Sequence, residues 1–398
     1  MLAKALRIGL YGVSGVGKSY LLDRLNQYAN AVLTLDGSVA IDQVCEGGLS
    51  TFKKLNAIEK YEVRCKSIAK LNQQFMADGR HMIVSGHYSF LTPTGYEVAW
   101  TEADASFYDL IFILQCSSEL HFQRCNTDLS RNRNFSQIQL DEWREFEHNE
   151  LQAICEASAI PFYSLSAELP QEQLLQHVVL LISDEVINTV ANELTKKFDS
   201  VILCDCDGTL NTDDILDYSN DPALSLKKIS DIFKGYDGYS PEAFFAVSQY
   251  IDSLEKNNIV ENMLARASVL QPHQLIVDEL ELIRKTNNAN GVKEALVLVS
   301  CGFPTAWDNP CLNSFIVLGG ASFNRFGCIL TNEHKTQLAK KLIKQGVFVV
   351  SFGNSSSDFG MLEKSSLAFF VYRGVIKTHY FEHLKRIKNI RMLCLEGS

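Results

Sequence analysis

The chain has 398 residues, 46% hydrophobic and 21% charged, a globular composition long enough for two or three domains with cores of their own. Its formal net charge of −10 argues against a broadly basic surface for duplex nucleic acid, although a local basic groove can survive in an acidic protein. The amino terminus MLAKALRIGLYG runs straight into a glycine-rich motif and no stretch reaches the length of an uncharged apolar membrane span, so a cytoplasmic protein with no membrane partner is expected.

Apolar runs of strand length recur at 6–11, 31–35, 81–84, 110–115 and 161–165, with helix-length segments between most of them. This alternation predicts an α/β domain, a mainly parallel sheet flanked by helices. The first run enters Gly12-Val13-Ser14-Gly15-Val16-Gly17-Lys18-Ser19, a full match to GxxxxGK[ST], and a helix is expected over 20–30. In that context Gly12, Gly15 and Gly17 let the backbone wrap phosphates, Lys18 neutralises the β/γ charge, and the Ser19 hydroxyl reaches Mg²⁺, so Mg-ATP is the expected cofactor. An amphipathic helix is expected over 171–190. The first domain is read as 1–191 and the stretch 192–199, near the Lys-Lys pair, as a linker.

The second domain, 200–398, opens on Val201-Ile202-Leu203-Cys204-Asp205-Cys206-Asp207-Gly208-Thr209-Leu210. An apolar strand delivers two carboxylates, one residue apart, into a Gly-Thr turn, where both can converge on a hard cation and a phosphate. Cys204 and Cys206 alternate with the acids and are expected in the sheet packing; most of the 11 cysteines read as reduced, buried thiols. Further strands are expected at 295–299, 314–318, 347–352 and 366–372. Between 212 and 290 the strand signals vanish and helical patterns such as 241–256 and 272–284 take over, as in a helical cap over a site.

Residues 6–190 resemble the P-loop kinases of small molecules and nucleic-acid ends. The resemblance implies that Asp36, after the second strand in LTLDG, is either the general base for an acceptor hydroxyl or the cap of the next helix. The run Arg124 to Arg133, RCNTDLSRNR, is similar to the lid of those kinases, with Arg131 and Arg133 the better pair to close on the transferring phosphoryl group; a solvated charged loop is the competing reading. Ser85 stands where many relatives carry the acid that supports magnesium, leaving Asp109 or another acid to substitute, and His87 reads as structural.

The DxDGT stretch resembles the first signature of the haloacid dehalogenase-like phosphatases, and partners follow in order: Ser300 in VLVSCGF, Lys335 in NEHKTQLAKKL, and GNSSSD from Gly353 to Asp358. The phosphoserine phosphatase-like branch is the most similar. The resemblance implies that Asp205 attacks phosphorus and forms an aspartyl-phosphate, that Asp207 is the acid/base, and that Ser300 and Lys335 hold phosphoryl oxygens. It also implies that Asp205, the Asp207 carbonyl and Asp358 hold Mg²⁺, with Asn354 at a position that is usually acidic, a change that weakens the metal without abolishing it. Asp213 and Asp214 read as caps of the first cap helix in preference to metal ligands.

Together these readings predict a bifunctional enzyme, an ATP-dependent kinase followed by a magnesium-dependent phosphatase. The expected partners are ATP and a small-molecule phosphate ester. A polynucleotide 5'-kinase/3'-phosphatase, and a phosphatase regulated by a nucleotide-binding P-loop domain, are the alternatives. Nothing in the sequence signals an oligomeric state.

Overall fold

Both glycine-rich and acidic motifs leave strands that are buried on their two faces, and this fixes where each site lies. The structure, a computed structural model, describes residues 4–395 except 128–134, 237, 256, 308 and 315. The chain divides into two compact units, one spanning 5–178 and the other built mainly from 179 onward.

The first unit holds strands β1 (Arg7–Tyr11), β2 (Val32–Asp36), β3 (His81–Ser85), β6 (Leu110–Gln115) and β7 (Phe162–Ser166), and a hairpin of β4 (Ser89–Thr92) with β5 (Gly95–Val98). The five sheet strands are parallel, in the order β2-β3-β1-β6-β7. From β1 the connection to β2 goes to one side, and β6 lies on the other, so the end of β1 is a switch point, where α/β sheets open a crevice for ligands. Residues Leu110 to Leu114 are all buried, the continuous apolar run of a sheet covered on both faces.

The second unit holds β8 (Ser200–Cys204), β9 (Glu294–Val299), β10 (Ile316–Leu318), β11 (Phe348–Gly353), β12 (Leu367–Tyr372) and β13 (Ile390–Cys394). These are parallel too, in the order β10-β9-β8-β11-β12-β13. The chain runs outward from β8 through β9 to β10, then returns to β11 beside β8, which puts the switch point between β8 and β11. Between β8 and β9 come a short 3-10 turn and the helices Leu226–Gly235, Pro241–Glu255, Ile259–Ala267 and Gln274–Ala289. Cys204 and Cys206 are buried in the apolar cluster that joins this sheet face to the helical segment, as their alternation with the acids predicts.

Every expected strand is present within about two residues of its expected ends. Two features were not foreseen. The hairpin lies in SFLTPTGYEV, whose Pro-Thr-Gly turn is a readable signal, whereas β13, IRMLC, is a short edge strand with little pattern. The helix expected to end at 190 continues as Gln171–Lys197 and takes up most of the stretch read as a linker. It contains no Gly or Pro, Leu194 keeps its apolar face buried, and Lys196 and Lys197 complement the last turn. By length and composition this helix is apolar enough to cross a membrane, but Val179, Ile182, Val186, Ile187 and Ala191 are buried inside the protein.

After β10 the backbone passes very close to Leu330, the residue before the cap of the helix that carries Lys335. A Cβ on Gly320 would lie 2.1 Å from the Leu330 nitrogen and 2.6 Å from its Cα. We expect Gly320→Ala to destabilise the second unit by about 1–3 kcal/mol, the range for forcing atoms into a packed core. Chemical denaturation reads this; an unchanged midpoint would contradict the packing described.

Candidate active sites

In the first unit the loop after β1 is shaped by Gly12, Gly15 and Gly17, with φ of 139°, 94° and 114°, values that residues with a Cβ rarely adopt. Lys18 opens the helix Lys18–Tyr28 and turns its ammonium back on the loop, donating to the Gly12 carbonyl and, at 3.3 Å, to the Val13 carbonyl. Ser14, Lys18 and Ser19 line a cavity of about 1000 Å³, with Asp36, Arg64 and His87 on other walls. A glycine loop at a helix amino terminus with a lysine beside it is a phosphate cradle.

Asp36 ends β2 and caps the helix Gly37–Val44, accepting from the Ser38 amide at 2.8 Å. It is thus a cap whose residue also borders the cavity. Ser85 ends β3 on the same wall. Asp109 does not substitute for an acid there: it precedes β6 and takes the amide and guanidinium of Arg7, at 2.9 and 2.7 Å, at the opposite end of the sheet from the phosphate loop. Arg131 and Arg133 lie outside the described residues. Arg124, in the last turn of the helix Ser118–Thr127, donates to the Val16 carbonyl at 2.7 Å and braces the loop.

Sequence reasoning passed over Glu147. It lies on the helix Gln137–Ala157, fully buried, and accepts from the Gly12 amide at 3.1 Å, the Tyr88 amide at 3.3 Å and the Ser89 hydroxyl at 3.3 Å. Burial raises its carboxyl above the ordinary range, while Lys18 and the amide donors pull it back. The signal was present: Leu140, Trp143, Glu147 and Leu151 share one helical stripe, and an acid on an apolar stripe needs partners.

In the second unit Lys335, on the first turn of the helix Asn332–Lys344, lies between two carboxylates, with Nζ 2.7 Å from Asp205 Oδ1 and 2.7 Å from Asp358 Oδ1. Thr331 caps that helix in a reciprocal pair with His334, which sets where the lysine emerges. Asp205 Oδ2 accepts from the Thr209 hydroxyl at 3.1 Å. Asp358 Oδ2 accepts from the amides of Asn354 and Ser355 and from the Ser355 hydroxyl, each at 3.1 Å. Asp207 Oδ1 accepts from the Ile215 amide at 3.1 Å and the Trp307 indole at 2.9 Å, and its Oδ2 meets the Ser300 hydroxyl at 3.2 Å. The Asn354 amide packs on Gly208, where a Cβ would lie 2.1 Å from Nδ2 and φ is +70°.

The structure thus brings together Asp205, Asp207, Ser300, Lys335, Asn354 and Asp358 from the ends of β8, β9 and β11 and from one helix. Among the described residues no three His, Cys, Asp or Glu side chains form a metal cage. Asp358, read as a magnesium ligand, is fully buried and accepts four hydrogen bonds, from Lys335 and its own loop, whereas Asp205 accepts two and keeps lone pairs for a cation. The donors that fit a hard cation are the Asp205 carboxylate, the Asp207 carbonyl and the Asn354 amide oxygen, an all-oxygen set with one negative side chain. Burial, then Asp358, raises Asp205, and Lys335 opposes this; burial also raises Asp207. For Lys335 burial disfavours the charge, but Asp205 and Asp358 outweigh it and hold the ammonium well above its ordinary range.

Residues 11–144 match the sequence model of the AAA domain family, less than half of the chain. No curated protein sequence matches. Solved structures similar to this chain include shikimate kinase from Acinetobacter baumannii in complex with shikimate, with 16% identity and a TM-score of 0.30, covering 44% of this chain and 93% of that one. A gluconokinase from Sinorhizobium meliloti 1021 has 10% identity and a TM-score of 0.30, covering 49% and 99%. A substrate-bound phosphoserine phosphatase has 18% identity and a TM-score of 0.29, covering 50% and 94%. The matched family model and the loop geometry together make the amino-terminal part a P-loop domain.

Asp214 is a cap, as expected, but of the 3-10 turn Ile215–Tyr218, accepting from the Leu216 amide at 2.9 Å, while Asp213 accepts from the Tyr218 hydroxyl at 2.8 Å and the helix Leu226–Gly235 is capped by Ser225. Burial, and next the charge of Asp207, push its carboxyl up to about 7. The folded state therefore keeps a proton that the unfolded chain releases near 3.8, so stability falls as pH rises between those values. Asp214→Asn keeps a good cap and removes the titration. The variant's unfolding temperature should vary less between about pH 5 and pH 8 and be about 2–4 °C higher at the upper end for each ~1 kcal/mol recovered. Calorimetry in magnesium-free buffer checks this, and an unchanged pH slope would refute it.

Proposed function

We propose that the chain is a bifunctional enzyme: the first unit transfers a phosphoryl group from Mg-ATP to a hydroxyl of a small metabolite, and the second hydrolyses a small phosphate monoester through an aspartyl-phosphate. The observation that carries the proposal is the buried Lys335 shared by Asp205 and Asp358. An ammonium so enclosed keeps Asp205 ionised beside an incoming dianion and meets the phosphoryl oxygens that arrive with it.

In the second unit Asp205 attacks phosphorus while Asp207 protonates the departing ester oxygen; Asp207 then takes a proton from the water that cleaves the aspartyl-phosphate. Ser300 and Lys335 hold phosphoryl oxygens. Asp205, the Asp207 carbonyl and Asn354 would hold Mg²⁺, which when bound neutralises charge on the phosphoryl group. On this reading Asp358 anchors Lys335 instead of the metal. In the first unit the loop 12–19 and Lys18, released from its loop carbonyls, would hold the β- and γ-phosphates, Ser19 would hold the metal, and Asp36 accepts the acceptor's proton. A small substrate is favoured because Asp205 is only 6% exposed and the first residue past the Asp214 cap, Ile215, reaches Asp207; a nucleic-acid end would need a more open mouth. Ser85, in place of a magnesium-supporting acid, favours a second reading in which the first unit binds nucleotide and regulates.

Lys18→Ala should abolish phosphoryl transfer from ATP, a loss of at least about 100-fold in kcat/KM, and leave hydrolysis of p-nitrophenyl phosphate intact. Asp205→Asn should do the reverse. Binding of ATP with no transfer to any acceptor in a panel of nucleosides, sugars and 5'-hydroxyl oligonucleotides would favour the regulatory reading.

Asn354→Asp adds the negative charge that the donor set lacks. The magnesium concentration for half-maximal phosphatase activity should then fall by about 10-fold, the equivalent of ~1.4 kcal/mol. A magnesium titration reads this, and an unchanged or higher requirement would remove Asn354 from the donor set.

A further inference from the structure

Trp307 is one of three tryptophans in the chain, 1% exposed, in the turn that ends the 3-10 helix Pro304–Ala306. Its only polar atom, the indole N–H, points at a carboxylate: Nε1 lies 2.9 Å from Asp207 Oδ1. The Ile215 amide reaches the same oxygen at 3.1 Å. The other oxygen, Oδ2, meets the Ser300 hydroxyl at 3.2 Å. It also faces Gly302, where a Cβ would stand 2.8 Å away.

The two oxygens therefore differ in kind. Indole and amide N–H groups only donate, so a proton on Oδ1 would meet two hydrogens already aimed at that atom. A serine hydroxyl donates or accepts, and Ser300 itself accepts from the Gly302 amide at 2.9 Å. A proton on Oδ2 is compatible with its neighbour once that hydroxyl turns.

We propose that Trp307 is a positioning residue for the phosphatase site: by giving Asp207 Oδ1 a second fixed donor, it orients the carboxyl so that Oδ2 is the oxygen that hands the proton to the leaving group. The inference rests on the phosphatase reading above. In the step concerned, an Asp205 oxygen bonds to phosphorus as the bond from phosphorus to the ester oxygen breaks. The ester oxygen takes the Oδ2 proton and departs as a neutral alcohol, and Asp207 is left as a carboxylate. In the second half, water attacks phosphorus and gives a proton to Oδ2, the bond from phosphorus to the Asp205 oxygen breaks, and inorganic phosphate leaves. Each atom and proton is restored. Loss of the indole N–H frees the carboxyl to rotate and lets Oδ1, on the side of the Ile215 amide and not of Ser300, take the proton in place of Oδ2.

The test compares leaving groups. Glycerol 2-phosphate needs a proton on its departing alkoxide, whereas p-nitrophenolate leaves without one. Trp307→Phe should lower kcat/KM for glycerol 2-phosphate at least about 10-fold more than for p-nitrophenyl phosphate, within the range that a placed acid contributes. In an Asp207→Asn background it should change that ratio no further. A merely structural role would lower both substrates alike, and that result would overturn the proposal. A second readout needs neither turnover nor magnesium. In ¹⁵N-labelled protein the Trp307 indole N–H resonance, identified by its loss in Trp307→Phe, should move when Asp207 becomes Asn with Trp307 intact; an unmoved resonance also overturns the proposal. If the native protein hydrolyses neither ester while that resonance moves, the phosphatase reading falls and the orienting contact stands.

Discussion

A lysine ammonium with 1% exposure, held 2.7 Å from each of two carboxylates, is the constraint around which the second unit is arranged. Removing one partner of such a group leaves an uncompensated buried charge, at a cost of about 3–5 kcal/mol. Three segments far apart in the chain must therefore meet: the end of β8, the first turn of the helix Asn332–Lys344, and the loop after β11. The sheet order makes this possible, because β11 returns to pair with β8 and places the two acidic loops side by side. The close passage of Gly320 against Leu330 sets the backbone that leads into the lysine helix.

The P-loop of the first unit is built differently. It is held in glycine conformations, with Lys18 turned back on two of its carbonyls and a buried acid, Glu147, behind the loop taking the Gly12 amide. Glu147 is itself fixed by three donors. In the second unit the lysine is held between two carboxylates.

Much of this was legible in the residues. The two parallel sheets follow from apolar runs separated by helical periods, and the P-loop from eight consecutive residues in the right context. The burial of Cys204 and Cys206 followed from their alternation with Asp205 and Asp207. The role of Asp214 as a cap followed from its place at the start of a turn. Less was legible where function depends on what a side chain touches. Glu147 stood out only as an acid on an apolar stripe, and Trp307 as an aromatic residue in a loop. Asp109, a reserve acid for the phosphate loop on the sequence reading, pairs with Arg7 at the other end of the sheet, because residues before and after a strand lie at opposite ends of it.

What the sequence by itself determined was local: strand, turn and helix identities, the glycine conformations of the phosphate loop, and the pairing of two acids at the end of a strand. These depend on neighbours within a few residues, where sterics and hydrogen-bond periodicity act. What only the tertiary structure decided was which distant groups share a proton or a charge: Lys335 with both Asp205 and Asp358, Glu147 with the Gly12 amide, Trp307 with Asp207. Those contacts arise from strand order and helix placement, and a difference of one strand position, about 4.8 Å, is larger than any hydrogen bond.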